Sequence, residues 1–144
     1  MSQHYSDRLR RLPCKTLVWN AGASLVANAT NYLHCYTTFP TGGVQAVETH
    51  VYASFLCTRR GTIKNLVCYV STAHGAGNSS AYTVYVNGLP TAITCTISGA
   101  VDTKALDITN FVAVSIGNRI SLRCVTSAAG LFLNALGQLE FEGV

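Results

Sequence analysis

The stretch SAYTVYVNGLPTAITCTIS, residues 80–98, decides the fold class. Side chains of a β-strand alternate between two faces, so Tyr82, Val84 and Val86 share one of them. Asn87-Gly88 then supplies two residues that accept positive φ, as a tight two-residue hairpin turn requires. With such a loop, Val86 faces Leu89, Val84 faces Thr91 and Tyr82 faces Ile93. A four-residue loop pairs Val86 with Thr91 and Val84 with Ile93. Either register gathers Leu89, Ile93, Cys95 and Ile97 on the face of Tyr82, Val84 and Val86. The other face collects Thr83, Tyr85, Ala92, Thr94 and Thr96. One side is dry and the other carries hydroxyls, which is half of a sandwich.

The same alternation runs outward in both directions. TLVWN (16–20) predicts a short strand anchored by Trp19, and AGASLVANATN (21–31) a loop or irregular edge. NYLHCYTTF (31–39) sets Tyr32, His34 and Tyr36 against Leu33, Cys35 and Thr37. VETHVYASFLCT (47–58) is the longest predicted strand, with Val47, Val51, Ala53, Phe55 and Cys57 on one face. TIKNLVCYVST (62–72) is another strand, and HGAGNSS (74–80) a flexible loop. VDTKALDITN (101–110) is polar, with a strand or short helix over 104–108.

FVAVSIGNRISLRCVTS (111–127) contains two strands whose parity is informative. A two-residue loop at Gly117-Asn118 would set Val114 opposite Ser121 and mix dry with wet faces. Either a three-residue loop pairs Ile116 with Ile120 and Val114 with Leu122, or the strands lie in different sheets and the chain crosses at Gly117. LFLNALGQLEFEG (131–143) ends in a strand with Leu139 and Phe141 alternating against Glu140 and Glu142. About eight strands with frequent turn signals, and no long 3.6-residue apolar period, predict an all-β antiparallel sandwich or barrel.

At 144 residues the chain is one domain's length. Only 11% of it is charged, against about 25% in ordinary soluble domains. A surface this poor in charge is covered by Ser, Thr and Asn or buried against other subunits, and an isolated chain tends to associate. The net charge of +4 is uneven. Arg8, Arg10, Arg11 and Lys15 against Asp7 leave residues 1–15 at +3, and residues 16–144 at +1. The expected organisation is therefore a basic arm, 1–15, before a sandwich domain, 16–144. Three arginines are too few to make nucleic acid the main partner. No apolar stretch of signal-peptide or membrane-span length appears, so neither secretion nor a membrane is expected.

Six cysteines, at 14, 35, 57, 68, 95 and 124, form no CxxC pair and offer no zinc spacing. They read as reduced core thiols. Glu140 and Glu142 share a strand face and read as solvated carboxylates rather than a catalytic pair. The histidines at 4, 34, 50 and 74 lie far apart, and HGAGNSS lacks the Lys-Ser/Thr of a phosphate-binding loop. No nucleophile elbow or metalloprotease helix is present. The expectation is a protein that is not an enzyme, with no catalytic residue, metal or cofactor.

GTIKNLVCYVSTAHGAGNSSAYTVYVNGLPTAITCTISG, a polar insert, and then VAVSIGNRISLRCV together resemble the jelly-roll domains of phage and other viral structural proteins. These include capsid decoration (cement) proteins and fibre heads. The V-x-V-x-x-G-N-R-I-x-L stretch at 112–122 also resembles a step in trimeric sandwiches of the tumour-necrosis-factor and C1q type, where the two strands lie in opposite sheets. The resemblance implies a jelly roll of about eight strands, a homotrimer, and a place in the virion. It further implies that the trimer binds the major capsid protein and stabilises the shell. Arg8, Arg10, Arg11 and Lys15 are then the candidate capsid contacts, through charge-assisted pairing with carboxylates. The alternative on the same fold is a receptor- or glycan-binding fibre head. Its recognition surface would be His74, Asn78 and an exposed Tyr85 beside the 74–80 loop.

Overall fold

The computed structural model describes residues 15–21, 25–35, 53–129 and 134–144. These hold nine strands and no helix: β1 (Lys15–Asn20), β2 (Thr30–Cys35), β3 (Phe55–Leu56), β4 (Gly61–Tyr69), β5 (Ser79–Val86), β6 (Leu89–Ser98), β7 (Lys104–Val114), β8 (Arg119–Thr126) and β9 (Leu136–Gly143). The pairing is nested. The β5–β6 hairpin lies innermost, enclosed in turn by β4–β7, β2–β8 and β1–β9, all antiparallel.

Rolled up, this long hairpin places β1-β9-β4-β7 in sheet 1 and β2-β8-β5-β6 in sheet 2. That is the jelly-roll arrangement. β1 and β2 join the sheets along one side through Trp19↔Cys35 and Asn20↔His34. On the far side, the Thr94 amide of β6 donates to Asp107 Oδ2 of β7 at 3.1 Å. The sandwich is nearly closed into a flattened barrel.

The inward rows of both sheets make one core. Trp19, Leu33, Ile63, Tyr82, Ile120 and Leu139 are all fully buried, each contributing on the order of 1.5–3 kcal/mol by leaving water. Trp19 also meets its polar requirement, since Nε1–H donates to the Ala53 carbonyl at 3.2 Å.

The decisive hairpin uses both anticipated registers. Val86↔Leu89 and Tyr85↔Pro90 close a two-residue turn at Asn87-Gly88, with φ of 53° and 80°. Beyond Val84 the pairing shifts by two, to Thr83↔Thr94 and Tyr82↔Cys95. The Thr91 hydroxyl anchors the bulge by donating to the Val84 carbonyl at 2.8 Å. A shift of two leaves parity intact, so Ile93, Cys95 and Ile97 still point inward. Leu89 is a correction: beside the turn it lies outside the core and is largely exposed.

Parity at Gly117 resolves in favour of two sheets. β7 belongs to sheet 1 and β8 to sheet 2, and Gly117 at φ 87° makes the crossing. The polar 101–110 segment becomes the start of an eleven-residue strand, not a helix. Within the predicted strand 47–58, residues 47–52 lie outside the described residues, and only Phe55–Leu56 are strand. The expected alternation survives in part, with Ala53 and Cys57 buried and Leu56 exposed.

Candidate functional site: an apolar sheet face

Sheet 1 presents an outward face that water does not favour. Across it, Val67 of β4 stands between Gln138 of β9 and Leu106 of β7, and Tyr69 between Leu136 and Lys104. Phe111 lies opposite Lys64. Tyr69 is 44% exposed, Leu106 49%, Ile108 64% and Phe111 71%. Outward positions of a sandwich that faces only solvent are polar, so a contiguous patch of this kind marks an interaction surface. Its border on β4 and β9 is charged: Lys64 Nζ pairs with Glu142 Oε2 at 2.6 Å, and Asn65 Nδ2 donates to Glu140.

Asp107 fixes the shape of this face. Between Leu66↔Asp107 and Lys64↔Phe111 the pairing slips, with Asn65 at φ 55°. Asp107 turns inward, and its Oδ1 accepts from the amides of Thr109 and Asn110, both at 3.1 Å. Its Oδ2 accepts from Asn110 Nδ2 at 2.9 Å as well as from Thr94. Burial works against the charge, but the hydrogen bonds from Asn110, Thr94 and Thr109 outweigh it. They hold the carboxyl well below the usual carboxylate range. The bulge leaves Ile108 and Phe111 outside.

The outer face of sheet 2 is different in kind, with Thr83 half-buried and Thr94 and Thr96 exposed. Tyr85 stands on this face, as its parity predicts, yet it is only 8% exposed. Arg123 covers it, with Cζ 5.5 Å from the ring centroid and Nη1 donating to the hydroxyl. Tyr32 packs edge-on at 6.3 Å. Tyr85 is also at the turn end of β5, roughly 20 Å along the strand from the 74–80 loop. His74 is buried, its Nε2 2.6 Å from Ser80 Oγ, which donates to the Tyr82 hydroxyl at 3.2 Å. Asn78 is half-buried and accepts from Ser127 Oγ at 3.1 Å. His74, Asn78 and Tyr85 therefore do not form one exposed recognition surface, because two are core-facing or covered and the third pins a loop.

Lys15 opens β1 opposite Phe141, so it belongs to the sheet and not to the arm. Arg8, Arg10 and Arg11 lie outside the described residues, as do Cys14, His4 and His50. Cys35, Cys57, Cys68, Cys95 and Cys124 are buried, and the last four are free thiols. Burial pushes the Cys57 thiol up to about 11 and the Cys124 thiol to about 12. No group of three metal-ligating side chains converges among the described residues. Glu140 and Glu142 are engaged by neighbouring side chains.

Sequence reasoning passed over Leu106, Ile108 and Phe111. The signal was present in KALDITNF (104–111), which holds apolar residues in a polar run, but the bulge hides which face they share. No protein-family model matches this sequence, and no curated protein matches it as a relative.

Proposed function

We propose that this chain is a structural subunit that assembles with copies of itself through the outer face of sheet 1, as a homotrimer that decorates and stabilises a viral capsid. The observation that carries the reading is the exposed apolar patch of Tyr69, Leu106, Ile108 and Phe111 on a jelly roll. Apolar surface leaving water stabilises by about 25 cal/mol per Å2, and a sheet face is flat enough to bury much of it at once. β7 ends sheet 1, so a neighbour can cover the patch without disturbing the hydrogen-bonded ladder.

In this reading the shell contact comes from the basic segment before β1. Arg8, Arg10 and Arg11 are the residues able to grip carboxylates of a capsid protein. Repetition over a shell multiplies even a weak contact. Analytical ultracentrifugation of the full chain tests the assembly, and co-sedimentation with capsids tests the decoration. A trimer that dissociates on Leu106→Glu supports the first, and loss of capsid binding on deletion of residues 1–14 supports the second. A monomer at hundreds of micromolar overturns the assembly. Full capsid binding without the arm overturns the arm's role.

A further inference from the structure

We infer that one end of the sandwich is a docking surface for an anionic lipid bilayer. Leu56, Leu89 and Ile116 enter the headgroup layer there, and Arg59, Arg60 and Arg119 meet the lipid phosphates. The surface is separate from the outer face of sheet 1, so it does not rest on assembly through that face.

Three connections meet at this end: β3–β4, the β5–β6 turn and β7–β8. The Gly117 amide donates to the Cys57 carbonyl and the Cys57 amide to the Asn118 carbonyl, both at 2.8 Å. The Asn87 amide donates to the Arg119 carbonyl at 2.8 Å, and Asn87 Oδ1 accepts from the Arg119 amide at 2.9 Å. Leu56 stands opposite Arg119 in the ladder. Beside each connection is one large apolar side chain in water: Leu56 is 47% exposed, Ile116 67% and Leu89 70%.

The side-chain charge at these connections has one sign. Residues 54–61, 86–89 and 114–119 contain three arginines and no Asp or Glu. Arg60 is exposed and Arg59 half-buried, and neither has a carboxylate partner among the described residues. Arg119 Nη1 donates to a neutral group, Ser54 Oγ, at 3.4 Å. The neighbouring Lys64–Glu142 pair cancels itself. At the opposite end of β7, Asp102 and Lys104 balance each other.

Two features select a bilayer over an acidic protein. The apolar side chains stand on three separate stretches of chain, and a fluid surface accepts separate tips where a protein would need matching relief. The backbone of the turns is also paired internally. Besides the bonds above, the Ser115 amide donates to Asn118 Oδ1 at 2.7 Å and the Asn118 amide to the Ser115 carbonyl at 3.1 Å. Entry into a layer poor in water requires such pairing, because unpaired N–H and C=O groups are costly there. Anionic headgroups complement the arginines, each of which favours binding about fivefold near such a surface.

Co-sedimentation of the full chain with vesicles tests the proposal, comparing phosphatidylcholine alone with equal parts of phosphatidylcholine and phosphatidylglycerol. The mixed vesicles are expected to bind about tenfold or more tightly than the neutral ones, less so in high salt. Replacing both Arg59 and Arg60 by Gln should weaken binding by about tenfold or more. Leu89→Ser with Ile116→Ser, which leaves the charge intact, should weaken it by about tenfold. In the wild-type chain, bicelles of the mixed lipids carrying an acyl-chain nitroxide should broaden the amides of Leu89 and Ile116 and spare those of residues 99–103, a readout that needs no variant to fold. Equal binding to neutral vesicles, binding untouched by the serine pair, or unbroadened tips overturns the proposal. Soluble polyglutamate bound as tightly as the mixed vesicles would point to an acidic protein and overturn it too.

Discussion

Gly61 of β4 lies against Glu142 of β9 with no room for a side chain. A Cβ on residue 61 would clash with the Glu142 carbonyl oxygen and stand 2.7 Å from Phe141 Cζ. The oxygen belongs to the backbone of a strand held on both sides, so it cannot move aside cheaply. Gly61→Ala is therefore expected to lower stability by about 1–3 kcal/mol, the range for overpacking. Urea denaturation followed by tyrosine and tryptophan fluorescence measures it.

Leu106→Glu and Phe111→Glu place charge on outward positions of β7. Exposed substitutions that break no buried contact change monomer stability by about 0.5 kcal/mol or less. The expected outcome is a fall in sedimentation coefficient with an unchanged β-sheet circular dichroism spectrum. Unfolding of both variants would mean that these side chains serve the subunit rather than its assembly.

Asp107 makes stability depend on pH in a definite direction. Its folded carboxyl sits below the ordinary value, so its contribution is complete above about pH 4, the unfolded value. As pH falls further the contribution is lost, because the unfolded chain takes up the proton first. Asp107→Asn should weaken the wild-type protein at pH 7 and flatten its loss of stability between pH 4 and 2. Thermal melts across that window compare the two.

Cys57, Cys68 and Cys124 are buried, and burial raises all three thiols, Cys68 with help from neighbouring Cys95. The thiolate is the reactive form. Iodoacetamide at pH 8 is expected to leave these three unmodified in the native protein and to label them in 6 M guanidinium. Peptide mapping by mass spectrometry distinguishes the states.

The fold was legible because period-two alternation survives local irregularity. The β5–β6 pairing slips by two residues at Val84 and still delivers Ile93, Cys95 and Ile97 to the core. Parity likewise argued against a two-residue loop at Gly117-Asn118 and left a three-residue loop or a change of sheet, and the strand pairing selects the change of sheet. The surface was less legible. Tyr85 was assigned to the correct face, but its exposure depends on Arg123, which lies 38 positions away in the chain and carries no local signal. Ile108 and Phe111 escaped notice because the Asp107 bulge changes the count between them, and only the pairing with β4 reveals it.

The nesting of the strand pairs has a consequence for biosynthesis. The partners in β5 and β6 are neighbours in the chain, whereas Lys15 meets Phe141 only after every strand between them has been made. Until β9 emerges from the ribosome, β1 and β4 flank an empty lane, with unsatisfied amides and carbonyls on each margin. Maturation thus closes like a zip from the middle outward, and its final tooth joins the two strands farthest apart in sequence. Distant closures of this sort are slow, which makes the half-made chain, more than the finished subunit, the species most exposed to stray strand pairing.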